Sequence, residues 1–513
     1  MKVAEISYQE TNKFSKLALD YLSEDEKLKP FINHFPILEN FEKQITEKKN
    51  NPVNRKVLVE VLSQQNNIIS LSAKSQKNIE SLLNKNTFTV TTGHQLCMFT
   101  GPLYFMYKVI STINLAESLQ AQYPKNNFVP IFWMATEDHD FQEVNHINLF
   151  GNKIEWESKQ SGAVGRISLG DFESVLTELK PVLGTSENAK QLISIFEKAY
   201  LKHDNLADAT RYLVNELFGE YGLVILDGDD KKLKQQFIPT IKKDILAQGF
   251  EKKINKCSED LGIEYKVQAY VRAINFFKLS NGKRELIKGG ITEKEIEYNP
   301  ESFSPNVLLR PLYQETILPN IAYIGGGAEV AYFMQLKTAF EQENIPFPIL
   351  ILRNSAMFLN ASQNKKRQDL GFSIADLFLD EHQLQKKFII SQTEVNVSLQ
   401  HEIEKMELVY ASILKKTTDV GLQSSIKSQL QKQQKYLKQL EEKLLRLEKQ
   451  KHKSSLLQIR KLKAHLFPNN DLQERHDNFI SFYLTDGEKF IKIMKENLNP
   501  LNPNFVVLIP KIK

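Results

Sequence analysis

Two short polar clusters hold the residue types that anion binding and acid–base chemistry need. The first is Thr92, Gly93, His94 and Gln95, with Gly101 and Pro102 close behind; the second is Thr136, Glu137, Asp138, His139 and Asp140. In the first, glycines let backbone approach a ligand, and His94 and Gln95 carry hydrogen-bond donors. A helix opening at Pro102 would add its N-terminus, so residues 93–101 suit a phosphate or carboxylate. In the second, a carboxylate or imidazole can take the proton that an attacking amine loses near neutral pH. One of these acids could instead orient His139 or hold a magnesium ion. Adjacent residues of an extended segment point to opposite sides, so Asp138 and Asp140 would share a side and His139 would face the other.

The elements that position the clusters are legible around them. Phe88 and Val90, among threonines, read as a short buried strand, and residues 128–135 are apolar nearly throughout, as a strand covered on both faces should be. Between them Leu103, Met106, Tyr107, Ile110, Ile113 and Ala116 recur at helical spacing, and Pro102 fits a first helical turn. Ligands in open parallel sheets sit beyond the carboxyl ends of the strands, and both clusters stand at such ends. Residues 221–230 give another strand, ending in Asp227, Asp229 and Asp230, which is either a cation or ribose site or a plain turn. Residues 321–324 form a strand, then Gly325, Gly326 and Gly327 a tight turn, then a helix from about Ala328 that carries Glu329 and Gln335. The glycine triplet is not the dinucleotide fingerprint. Residues 346–353 are a further buried strand. Strands alternating with helices predict a Rossmann-like, doubly wound parallel sheet.

Around this core, residues 1–85 read as a mostly helical cover punctuated by Pro30, Pro36 and Pro52. Insertions are expected at about 151–219 and 250–300. The first opens with a hairpin or irregular stretch and continues as helix; the second holds strands around an Asn281-Gly282 hairpin signal over 265–298. The core domain then spans 1–374, and a helical coiled-coil domain spans 375–465. There Ile426, Leu430, Leu437, Leu440, Leu444 and Leu447 follow spacings of three and four, interrupted by Gln433. A helix at about 395–417 could fold back on this seam, or the seam could join two chains into a homodimer; the pattern alone leaves both open. Residues 466–513 end in an apolar strand expected to return to the core.

Bulk properties exclude several classes. The 513 residues are 41% hydrophobic and 25% charged, ordinary for a soluble globular protein, and 67 basic against 62 acidic residues give only +5. That charge is too mild for a nucleic-acid partner. Cys97 and Cys257 lie far apart without a CxxC pair, which argues against a zinc site or disulfide framework and for a reducing cytoplasm. Cys97, between Leu96 and Met98, reads as a buried small hydrophobe, and Tyr104 and Tyr107 as core. No signal peptide or membrane-length apolar run is visible.

Four stretches, TGHQLCMFTGPLYFMYK, PIFWMATEDHDFQEVNH, NVLLRPLYQETILPNIAYIGGGAEVAYFMQLK and FPNNDLQERHDNFISFYL, resemble the bacillithiol biosynthesis cysteine-adding enzymes, over nearly the whole chain and in the same order. The resemblance implies a nucleotidyltransferase-type Rossmann core and a ligase that joins cysteine to glucosaminyl-malate in the last step of bacillithiol biosynthesis. Such an amide is uphill in water, so the cysteine carboxylate must first become an acyl-adenylate or acyl-phosphate. ATP or another nucleotide, with magnesium, is the expected cofactor. For that chemistry the candidate catalytic residues are Glu137, Asp138 and His139. The candidate substrate or nucleotide contacts are Gly93, His94, Gln95, Gly101, Asp140, Arg310, Gln314, Gly326, Gly327 and Glu329. Arg310 with Gln314 could read the malate carboxylates, or Arg310 could be a structural ion-pair partner. Two departures matter. Many family members carry Gln where this chain has His94, so His94 is not an obligatory proton carrier. The core is also similar to enzymes with HIGH and KMSKS signatures, and neither string is intact here. The alternatives are another ligase or nucleotidyltransferase on the same core, or a coiled-coil scaffold without activity.

Overall fold

The structure, a computed structural model, describes residues 1–280, 282–392 and 398–510. Its centre is a parallel sheet of five strands with two helices that frame the cleft. In chain order these are β1 (Thr87–His94), α1 (Tyr104–Gln122), β2 (Asn127–Met134), β3 (Val224–Asp227), β4 (Asn320–Gly325), α2 (Gly327–Met334) and β5 (Ile349–Leu352). The strand order is β5-β4-β1-β2-β3. β1 and β2 pair from Thr87 with Asn127 to His94 with Met134, so the ends that carry the two polar clusters lie side by side. From β1 the chain builds outward through β2 to β3, then returns to the other side of β1 for β4 and β5. The winding therefore reverses between β1 and β4, where a crevice opens over the carboxyl ends.

The apolar strands behave as their composition requires. In β2, Val129, Ile131 and Trp133 enter one core cluster, while Phe132 and Met134 enter another on the opposite face. Period-two alternation with both faces covered is why β2 reads as a continuous apolar run. The N-terminal cover is helical, with helices such as Asn40–Lys49 and Arg55–Gln65, but it opens with a strand, Lys2–Ser7. That strand pairs antiparallel with Asn504–Ile509, which also takes Ala356–Phe358 in parallel. The C-terminal strand thus returns to the body through a second sheet, apart from the central one.

The first insertion opens with a hairpin of His146–Leu149 and Asn152–Glu155, followed by helices Glu173–Leu183, Glu187–Leu201 and Leu206–Phe218. In the second, the strands expected over 265–298 narrow to Phe276–Ser280 and Lys283–Leu286. Asn281 lies outside the described residues; Gly282 takes the left-handed φ of +71° that the turn needs. Residues 268 and 269 form no strand because their N–H groups are taken by the Gln335 side chain, each at 3.1 Å.

The coiled coil is a hairpin within one chain. Helix α3 (Gln400–Leu414) packs antiparallel on α4 (Val420–Lys451), which Asp419 caps by accepting from the Leu422 N–H at 2.7 Å. Gln434 donates to Glu407 at 2.6 Å, and Glu441 accepts from the Leu399 N–H at 2.9 Å. These contacts bracket Leu437, so the seam of Ile426, Leu430 and Leu437 faces α3. Leu440 and Leu447 are turned away and stay 48% and 60% exposed. Among the described residues no helix is long and apolar enough to cross a membrane.

Candidate functional site

A cleft of about 770 Å³ lies over the carboxyl ends of β1, β2 and β4. β1 brings Gly93 and His94 to its floor. The His94 ring packs 5.4 Å from Tyr104 and 5.2 Å from Phe105, and its buried Nε2 has no partner among the described residues. Burial, helped by the nearby Lys108 ammonium, pulls the imidazole down to about 3. His94 is therefore neutral at physiological pH and offers a hydrogen bond, not a proton. One turn into α1, the buried Lys108 donates to the Gly93 carbonyl at 3.0 Å and pairs with Glu329. Glu329 also accepts from the Gly326 N–H and the Tyr323 hydroxyl, both at 2.8 Å. Burial opposes the Glu329 charge, but Lys108 and these two donors hold its carboxyl below the usual range.

Past Met134 the chain leaves the extended form and turns at Thr136 and Glu137, so strand alternation does not extend through the second cluster. Glu137 and Asp138 line the cleft together. Glu137 pairs at 2.5 Å with Lys234, which is buried and also reaches Asp229 at 3.3 Å. Burial pushes the Glu137 carboxyl up, against the pull of Lys234. Asp138 accepts from Gln95 Nε2 at 2.7 Å, which ties the two clusters together. His139 and Asp140 lie outside the cleft lining, contrary to the expectation of direct contact. The His139 side chain is 49% exposed at the rim, and its Nδ1 stands 3.1 Å from Arg284 Nη1. Because a guanidinium only donates, that Nδ1 is assigned as an acceptor.

Arg310 opens the helix Arg310–Ile317 and sits over the Trp133 and Tyr323 rings, 5.6 and 5.4 Å from their centroids. Its Nη1 donates to Gln314 at 2.9 Å, while its buried Nη2 has no acceptor among the described residues. Gln314 is thus a buried support behind Arg310, bonded also to Glu315 at 2.9 Å, and does not reach the cleft. Gly101 is likewise outside it: its φ of +67° serves a turn, and a Cβ there would meet that of Cys97 at 2.6 Å. Nor is the N-terminus of α1 open to an anion. The Leu103, Phe105 and Met106 N–H groups are taken by the carbonyls of Asp477, Pro102 and Leu103, at 2.7, 3.0 and 3.0 Å. Asp227 binds Thr136 at 2.5 Å, Asp229 pairs with Arg166 at 2.5 Å, and Asp230 caps the helix Lys231–Gln235, so this acidic run is a turn held by protein partners.

Four arginines line the cleft, Arg284, Arg310, Arg353 and Arg475, against the carboxylates Glu137, Asp138 and Glu329. Only Arg310 was singled out by motif. Lys108 had a signal, as the sole charge in the first three turns of an apolar helix, and Arg353 had one at a strand end. Arg284 and Lys234 come from remote segments and had none. Glycine is required at 228, where a Cβ would stand 2.4 Å from the Trp133 ring that floors the cleft. The donor set, in which the buried Arg310 Nη2 and Arg353 Nε lack acceptors among the described residues and the His94 Nε2 is unpartnered there too, fits anionic groups. Among the described residues no three His, Cys, Asp or Glu side chains converge as a metal-binding group.

Comparison with known proteins agrees with this architecture. A family model described as the N-terminal Rossmann-like domain of bacillithiol biosynthesis BshC matches residues 1–354, and one described as its C-terminal coiled-coil domain matches residues 356–510. The chain is 46% identical to a protein of Flavobacterium psychrophilum over 98% of each, and 45% identical to one of Flavobacterium johnsoniae over 98% of this chain and 99% of that one. A Bacillus cytotoxicus relative is 27% identical over 92% of this chain and 94% of its own length. All three carry the name "Putative cysteine ligase BshC".

Proposed function

Because the chain belongs to the bacillithiol biosynthesis BshC family, we propose that it is a ligase forming an amide between the cysteine carboxyl and the amine of glucosaminyl-malate. The observation that supports this most is one cleft, at the reversal of the sheet, where three carboxylates face four arginines. The sugar amine lies beside Asp138, which takes its proton as the bond to the cysteine carbonyl carbon forms. Asp138 suits this role: one oxygen is held by Gln95 and the other by the His139 N–H at 2.7 Å, so the carboxylate is aimed and still reaches the cleft. Glu137, locked to Lys234 and pushed above the usual carboxylate range by burial, is a second candidate acceptor. Arg310, pinned by Gln314 and two aromatic rings, holds an anionic group of a ligand. His94 donates or accepts one hydrogen bond without changing charge, a role that Gln can also fill.

A bound nucleotide would supply the leaving group that makes the cysteine carboxyl electrophilic, and His94, Arg310 and the glycines before α2 would hold its charge. Magnesium would be carried mainly by phosphate oxygens with one or two carboxylates, of which Asp138 is the more open.

The test is turnover by the purified protein. It is mixed with cysteine, glucosaminyl-malate, ATP and magnesium, and the thiol product and the spent nucleotide are followed by mass spectrometry. Bacillithiol formed together with AMP or ADP supports the reading and names the activation. A deletion strain that keeps normal bacillithiol and accumulates no glucosaminyl-malate would refute it and leave the scaffold alternative.

A further inference from the structure

Beyond Arg353 the cleft continues into a side chamber of about 220 Å³. The two compartments share Gly326, Gly327, Ala328, Arg353 and Arg475, and the side chamber adds Lys13, Ser15 and Gln268. Arg353 is the first residue past β5 and is only 7% exposed. Its Nη1 is fully used, by the Asn354 carbonyl at 3.0 Å, Ser355 Oγ at 3.2 Å and Glu474 at 2.8 Å. Its Nε is buried and has no acceptor among the described residues. That nitrogen lies close to Gly326, where a methyl group would stand 3.8 Å from it, and both residues line the chamber. Helix α2 begins at the next residue. The Gly326 N–H is taken by Glu329, whereas the Gly327 and Ala328 N–H groups have no acceptor among the described residues. A helix start with free N–H groups favours an anion, and a buried guanidinium N–H without an acceptor is costly unless a ligand supplies one. The nearest carboxylates are committed: Glu474 to Arg353 and Glu329 to Lys108. Arg475, held loosely by Asp471 at 3.3 Å, and Lys13, bonded to the Asn470 carbonyl at 2.6 Å, leave an excess of positive charge at the mouth.

We infer that this chamber seats the terminal oxyanion group, phosphoryl or dicarboxylate, of a ligand whose reacting end lies at Glu137 and Asp138. The inference rests on the reading of the main cleft as a ligase site and adds where the ligand's charged end goes. It moves the anion seat away from the loop before α1, where the Leu103 N–H is already taken by the Asp477 carbonyl. Two sources share this chemistry: the phosphates of the activating nucleotide and the malyl carboxylates of the amine substrate.

Calorimetric titration of the full-length protein with pyrophosphate and, separately, with L-malate distinguishes them. Gly326→Ala is the informative variant. Its φ of −74° suits alanine, and the new methyl meets only ordinary contacts, at 3.5 and 3.8 Å, while it fills the seat. The probe that belongs there should bind about tenfold more weakly to Gly326→Ala, a loss on the scale of one charge-assisted contact. Arg475→Gln, at a half-exposed side chain, should weaken the same probe about threefold and decides the matter if Gly326→Ala melts many degrees lower. A pyrophosphate effect assigns the nucleotide, and an L-malate effect the amine substrate. No binding of either probe to the parent at millimolar concentration, or equal affinities in parent and Arg475→Gln, overturns the seat. Intact probe binding with no ligase turnover would refute the proposed reaction and leave the seat standing.

Discussion

At the scale of residues, position relative to the cleft separates His94, Asp138 and His139. His94 has an imidazole depressed to about 3 against 6.5 in an unfolded chain. A depressed histidine contributes stability that is complete above the unfolded pKa and is lost as pH falls toward the folded one. The parent should therefore lose up to about 3 kcal/mol from this group between pH 6.5 and pH 4. His94→Gln, which cannot titrate, should show a flatter decline in chemical-denaturation curves over that range, and parallel curves would contradict the burial argument. For catalysis the cluster divides. Asp138→Asn should lower amide formation about a hundredfold or more, the usual scale for removing a positioned base. His139→Ala should cost less than about tenfold, because the ring only meets Arg284 at the rim. Steady-state rates with unchanged melting temperatures give the check, and a larger loss from His139→Ala than from Asp138→Asn would reverse the two roles.

At the scale of elements, the loop after β2 is bolted to the helix Lys231–Gln235 by the Glu137–Lys234 pair. Lys234 is 1% exposed, so removing its partner leaves a buried ammonium with only Asp229 and the Glu301 carbonyl. Breaking such a pair from one side costs about 3–5 kcal/mol. Glu137→Gln should thus lower both stability and activity, while Glu137→Gln combined with Lys234→Met should regain much of the stability and none of the activity. Urea denaturation of the three variants separates the effects; a double variant no more stable than the single one would show that the loop does not depend on this bolt.

At the scale of the whole molecule, the hairpin of α3 and α4 consumes the leucine seam within one chain and leaves a different stripe outside. Tyr436, Leu440 and Leu447 share a face of α4 and are 62%, 48% and 60% exposed. We propose that a second copy covers this stripe, since exposed apolar rows on a long helix mark association surfaces. Leu440→Glu combined with Leu447→Glu should halve the mass in light scattering, whereas Leu437→Glu should loosen the hairpin. A parent that is already monomeric at micromolar concentration would dispose of the dimer.

What the sequence determined by itself is whatever depends on local periodicity and chain order. The short threonine-rich strand from Phe88 and the apolar run at 128–134, separated by one helix, required parallel neighbours, and so placed TGHQ beside TEDHD. The three-four spacing of leucines required a coiled coil, and four ordered motifs sufficed for the family. Tertiary structure decided which of these residues meet. Strand alternation does not carry through residues 137–140, because the chain turns at Thr136 and a turn's side-chain directions are set by what it packs against: adjacent Glu137 and Asp138 both line the cleft, while Asp140, expected on the side of Asp138, does not. Gln314 and Gly101 were drawn into the site by sequence adjacency, yet one stands behind Arg310 and the other folds against Cys97. Conversely Arg284, Arg353 and Arg475 reach the cleft from three separate segments, with Lys234 buried behind Glu137 from a fourth, and no spacing within any one segment encodes that convergence. A buried charge is tolerated only where distant partners neutralise or use it, so its role is a property of the assembled core.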